Sequence, residues 1–339
     1  MPAQPLSVPA ARVILTALPV NVPVTRTAPA RDASAAADAP PRFGWLRIAT
    51  ALGAGIVSSA VSAPMIKASE APPLRLAAGR LLLAALILAP LAIAHARRNP
   101  AVPGRTWILA AVVPGICLGL HFASWNYGIG LSPIADAALI GNLTPLAMPF
   151  LLALVVHERL NRRELVATLI AVLGLVLRDR AGSPSLSPGT VACLVAMVLY
   201  AIYLAWSRRH RALPSVWPYL TAVYLIGGVL CTLSSLAVEP IGVPDTREWI
   251  GIVALALFPT LVGHTAFNWA MRHVRGQAVA LCGLVVSPLS AVIAWIVWEQ
   301  RPGPGWATAF ICVAVGLVVL AWPRRRAVPV PPAAPPGIG

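Results

Sequence analysis

Stretches of about 20 apolar residues recur between Phe43 and Trp322, separated by short polar segments. A segment of that length and character spans the hydrocarbon layer of a bilayer as a helix, because there the backbone must satisfy its own polar groups. Only 11% of the chain is charged and 58% is hydrophobic, against roughly 25% charged for an average soluble domain. A water-soluble fold would need polar faces to cover such runs, and the sequence does not supply them. The fold class read from this pattern is all-α integral membrane.

Ten spans are expected, at about 45–66, 74–95, 107–128, 133–156, 162–178, 188–207, 215–237, 248–271, 276–298 and 304–323. Residues 1–40 are a Pro-rich stretch expected to be a disordered tail, and 324–339 a second Pro-rich tail. The formal charge of +15 does not point to nucleic acid, since the basic residues form neither one face nor one tract. They fall in clusters between spans, such as Arg97 with Arg98, Arg162 with Arg163, Arg208 with Arg209, and Arg324 to Arg326. With the amino terminus inside, most of them face the cytoplasm. Both termini are therefore expected in the cytoplasm of a multi-pass plasma-membrane protein of bacterial origin, and the Lys-poor, Ala/Pro/Arg-rich usage is that of a GC-rich genome. Trp45, Trp107, Trp125, Trp249, Trp298, Trp306 and Trp322 lie near span ends, as an interfacial belt would place them. The five cysteines lie singly inside apolar runs and read as buried small residues, with no metal or disulfide implied.

The chain also repeats itself. His121 and His264, Ala135 and Ala278, and Pro145 and Pro288 recur at an offset of 143, and Glu158 pairs with Glu299 after a slip of two. Two halves follow, 43–180 and 188–323, of five spans each. Five is odd, so the second half enters the membrane from the opposite side. Such inverted-topology repeats are frequent in transporters that alternate access around a midplane site.

The repeated pattern is a stretch of small residues, a mid-span Pro and a terminal Glu. It reads AALIGNLTPLAMPFLLALVVHERL in the first copy and AVALCGLVVSPLSAVIAWIVWEQ in the second. Together with PPLRLAAGRLLLAALIL around Arg80, it resembles the EamA-like branch of the drug/metabolite transporter superfamily. The resemblance implies ten helices in two inverted repeats and a secondary transporter of small polar metabolites. Export of amino acids or related compounds is the leading expectation. A drug exporter or a metabolite importer of the same fold is the alternative.

Candidate path-lining residues follow from polarity at membrane depth. Pro145 and Pro288 each remove a backbone donor and kink their spans. The kink would turn Asn142 toward a polar cavity, or Asn142 bonds a neighbouring helix. Glu158, at a span end, reads as a surface ion pair. Arg80 lies about 9 Å into its span at ~1.5 Å per residue; it gates or anchors an anionic group, or pairs with carbonyls. His121 and His264, with Trp125, Asn126, Asn268 and Trp269 beside them, are expected on the path at opposite depths. Tyr200 and Tyr203 add aromatic hydroxyls from the sixth span. No nucleophile–base pair, P-loop or filter segment is present, which disfavours an enzyme, an ATP-driven pump or a channel. No cofactor is implied. The expected partners are the bilayer and a small-molecule substrate, with a proton gradient as the candidate energy source.

Overall fold

The computed structural model describes residues 44–178, 187–301, 303 and 305–321. Among them the chain is all helix. In chain order the helices are α1 (Trp45–Ser69), α2 (Pro73–Arg97), α3 (Gly104–Leu131), α4 (Ile134–Val156), α5 (Arg162–Arg178), α6 (Pro188–Ala212), α7 (Trp217–Val238), α8 (Thr246–Met271), α9 (Gly276–Trp298) and α10 (Trp306–Ala321). Eight of these are long and apolar enough to cross a membrane; α5 and α10 are shorter, at 17 and 16 residues. The sequence-derived bounds hold to within a few residues, with α3 longer at both ends. Both tails lie outside the described residues.

Local chemistry sets where the helices begin. Pro73 and Pro188 occupy the first helical turn, where a missing N–H costs nothing. Ser187 and Asp245 cap α6 and α8 by accepting the N–H groups of Thr190 and Glu248. At α5 the exchange is reciprocal: the Asn161 side chain accepts from Glu164 N–H and Glu164 accepts from Asn161 N–H, both at 2.9 Å.

Several helices break where the sequence weakens them. α1 is interrupted at Val61. α4 divides into Ile134–Gly141 and Thr144–Val156, with Pro145 in the first turn of the second part. α9 divides in the same way into Gly276–Gly283 and Val286–Trp298. In α8 the segment Ala256–His264, which contains Pro259, is a π-helix. There Thr260 Oγ1 donates to the Leu255 carbonyl and supplies part of the bonding the proline removes.

Small residues set the packing, as expected between helices that gain little from hydrophobic exclusion in lipid. α3 crosses α7 at Gly119 and Gly227, and a Cβ on Gly119 would lie 2.9 Å from the Gly227 carbonyl oxygen. α2 packs on α7, α3 on α6, α1 on α8 and α9, α4 on α9, and α5 on α10. The interior is rich in alanine, while large apolar side chains such as Phe150 and Ile296 face outward, the arrangement of a helix bundle solvated by lipid. Trp45 and Trp249 face outward as an interfacial belt requires, but Trp107 and Trp125 are buried. Both lie on inward faces of α3, so they are not belt residues.

The ends of α4 and α9 correct the expected pairing of Glu158 with Glu299. His157 and Glu299 are the left-handed caps, at φ 56° and 55°. The next N–H groups reach back alike, Glu158 to the Leu152 carbonyl and Gln300 to that of Ala294. The counterpart of Glu158 is therefore Gln300, 142 residues on. Glu299 resembles Glu158 in chemistry but occupies the cap.

Candidate functional site

A cavity of about 640 Å³, including its open part, lies among α1, α3, α4, α6, α8 and α9. Both helix breaks open onto it. Gly141, Asn142 and Thr144 of α4 line one wall, and Gly283 and Val286 of α9 another. Asn142 holds its own break, donating from Nδ2 to the Ala138 carbonyl at 2.7 Å, while Ser287 Oγ donates to the same oxygen at 2.8 Å. The Pro145 carbonyl accepts from Gln277 Nε2, so the interrupted backbone is received by protein and by the cavity.

The rest of the wall is aromatic. His121 stacks on Tyr200, with centroids 5.0 Å apart and planes at 29°, and on Trp125 at 6.4 Å and 12°. His264 meets Tyr200 and Phe122 edge-on, at 5.3 and 4.8 Å. The two imidazoles are 6.0 Å apart. They are not at opposite depths, as the sequence reading expected, because both lie well inside their helices, where α3 and α8 converge on the cavity. His121 Nδ1 pairs with the Ala196 carbonyl at 2.8 Å. His264 Nδ1 has no partner among the described residues. Trp125 rests against Gly141, where a Cβ would come within 2.2 Å of its ring.

Other residues expected on the path stand behind this wall. Asn126 is buried and donates to the Pro73 carbonyl, tying α3 to the start of α2. Tyr203 is fully buried and accepts from Asn268 Nδ2, which also donates to the His264 carbonyl. These residues sit on the helix faces that pack α6 against α8. Trp269 is outside the cavity lining, with its ring 4.2 Å from that of His273. Pro288 faces away, onto an apolar groove with Trp306 and Phe310.

Arg80 is fully buried and, among the described residues, does not pair with backbone carbonyls. Its Nε donates to Thr260 Oγ1 at 2.9 Å, and its guanidinium lies 3.9 Å from the centre of the Phe122 ring, a cation–π contact. Both terminal nitrogens lack an acceptor among the described residues. Phe122, which lines the cavity while Arg80 does not, thus stands between the cation and the cavity and also packs against His264. Neither Phe122 nor the α1 serines Ser59 and Ser62, which also line the cavity, was singled out from the sequence; a phenylalanine or serine in an apolar run carries no signal of its own.

Glu158 is not a surface pair with the neighbouring arginines. Arg208 of α6 reaches it at 2.9–3.0 Å, with both side chains nearly out of solvent. The Gly276 N–H donates to its other oxygen. Nearby, Arg275 pairs with Glu164 at 2.5 Å.

The chain is 28% identical to the aromatic amino acid exporter YddG of Ancylobacter novellus, over 62% of this chain and 75% of that one. It is 24% identical to the pseudopaline exporter CntI of Pseudomonas aeruginosa, over 63% and 75%. A solved crystal structure superposes with a TM-score of 0.66 at 21% identity, covering 81% of this chain and 97% of that one. This likeness bears on the fold alone. The EamA-like transporter family matches twice, over residues 45–178 and 187–322. A helical, multi-pass membrane protein matched by this family over most of its length, the chain belongs to the EamA-like transporter family.

Proposed function

We propose that the protein exports small polar metabolites, amino acids or related compounds, by alternating access. The observation that carries this reading is the cavity itself. Its wall is uncharged and combines aromatic rings and the two imidazoles that pack against them with amide and hydroxyl groups. Such a wall suits a molecule with a flat apolar body and a polar head. The named exporters among the relatives support the direction. In this reading the halves 43–180 and 188–323 are inverted five-helix repeats with the cavity between them, and both termini are cytoplasmic. His121, Trp125, Asn142, Tyr200 and His264 contact the substrate. Arg80, behind Phe122, supplies positive potential for a carboxylate. Asn126, Tyr203, Asn268 and Trp269 hold the contacting residues in place.

The test is transport by the purified protein in liposomes. Labelled aromatic and aliphatic amino acids are offered with and without a pH gradient. The expected result is counterflow of aromatic amino acids, accelerated by the gradient if protons drive the cycle. Absence of counterflow for every amino acid offered would remove the amino-acid reading. Flux that saturates only for bulky drugs would favour the alternative.

A further inference from the structure

The hydrogen bonds at the two ends of the bundle repeat, at an offset of 142 except for the basic donors Arg208 and Lys67, which are 141 apart, and two substitutions change their chemistry: lysine for arginine and glutamine for glutamate. At one end Arg208 Nη1 donates to the carbonyls of Met271 and Val274, at 2.6 and 2.8 Å, closing α6 onto the end of α8. At the other, Lys67 Nζ donates to the carbonyls of Ile129 and Ser132, at 3.1 and 2.7 Å, closing α1 onto the end of α3. Met271 and Ile129, like Val274 and Ser132, are 142 residues apart. The second member of each set corresponds as well. Glu158 accepts from Gly276 N–H at 3.0 Å, tying α4 to α9, and Gln300 accepts from Ile134 N–H at 3.4 Å, tying α9 to α4.

The two sets differ in how their members connect. Arg208 also bonds Glu158, so four helices meet in one charged network with both partners nearly dry. Lys67 has no carboxylate within salt-bridge distance among the described residues, and its counterpart to Glu158 is a neutral amide. The two ties at its end are separate, one of them long; the ion pairs at that end, Arg75 with Glu248 and the exposed Arg247 with Glu70, join the ends of α2 and α1 to the start of α8 and reach neither α4 nor α9. Charge-assisted bonds are about twice as strong as neutral ones, and more so out of water. Opening the Glu158 end separates a buried ion pair, whereas opening the Lys67 end leaves an ammonium to be rehydrated.

We propose that these sets are symmetry-related latches of unequal strength, and that the Lys67 end of the cavity opens more readily than the Glu158 end. The proposal rests on the alternating-access reading, but its test requires no substrate. In a background lacking the five native cysteines, spin labels are placed by Ala68→Cys with Arg301→Cys, and separately by Arg159→Cys with Arg209→Cys. All four positions are exposed, and the two pairs span equivalent helix ends. Pulsed electron paramagnetic resonance in lipid nanodiscs should give a broad distance distribution for 68/301 and a narrow one for 159/209. Gln300→Glu supplies Lys67 with its missing partner. It should narrow the 68/301 distribution, raising the ratio of short to long distances on the order of tenfold, the effect of one charged hydrogen bond. Glu158→Gln should broaden 159/209 without changing 68/301. Equal widths for the two pairs in the unmodified sequence overturn the proposal. So does a 68/301 distribution that Gln300→Glu leaves unchanged, and that variant decides the matter even where Glu158→Gln does not fold. A protein that shows the unequal widths yet carries no amino acid in liposomes retains the latches and loses only the substrate reading.

Discussion

Arg80 places a guanidinium where the described residues offer one hydroxyl and one ring. Thr260 Oγ1 is its hydrogen-bond acceptor and also bridges to the Leu255 carbonyl in the π segment. Thr260→Val keeps the shape and removes both bonds, leaving a buried charged donor unmet. The variant should lose about 1–3 kcal/mol of stability, seen as a lower melting midpoint in detergent, with an unchanged midpoint ruling out the bond's importance. Tyr200 is the opposite case, a residue whose loss should be felt by the substrate. Its ring packs against both imidazoles, and Tyr200→Ala should raise the KM for an aromatic substrate by about 3- to 10-fold, the worth of one aromatic contact. An equal rise for an aliphatic substrate would show that Tyr200 shapes the cavity without contacting the ring. The sequence made Arg80, His121, Asn142 and His264 visible because polar groups at membrane depth stand out. It hid Phe122, which shields Arg80 from the cavity, because an apolar residue among apolar residues has no contrast.

At the scale of helices, proximity is set by what is missing from the interfaces. α3 and α7 approach backbone to backbone at Gly119 and Gly227, so Gly119→Leu must separate them. A loss of about 1–3 kcal/mol is expected from overpacking. Gly130→Leu, on the same helix with no atom within 4 Å of a built Cβ, should leave the melting midpoint within error of the parent. Comparable losses at both positions would mean that glycine acts through backbone flexibility instead of contact. The helices themselves were legible from length and hydropathy, and the breaks in α4 and α9 from the Gly and Pro near their centres. Which residue of each broken helix corresponds to which was not legible. The match of two glutamates outweighed a cap geometry, set by φ, that no residue type advertises. Depth was misjudged for a similar reason. Offset alone says that His121 and His264 correspond, but only the convergence of α3 and α8 brings their rings to 6.0 Å.

For the whole molecule, the testable quantity is sidedness. The clusters Arg208–Arg209 and Arg272–Arg275 lie at one end of the helices and the 239–247 loop at the other. Reporter fusions at Gly339 and within 239–247 should therefore report opposite sides of the membrane, and agreement between them would remove the ten-span arrangement. The membrane setting was readable from composition, and the family from the resemblance of the Pro- and Glu-bearing segments; what a helix end is tied to was not, since Arg208 and Glu158 are 50 residues apart in the chain. Lys67 joins these threads in another way, because it is the protein's sole lysine side chain. An amine-acylating reagent thus has one side-chain target, and that amine is occupied by two carbonyls whenever α1 is closed onto α3. Its modification rate measures how often that end comes apart, so the mass shift of the Lys67 peptide, followed over time apart from that of the α-amine, becomes a clock for opening in the unmutated protein.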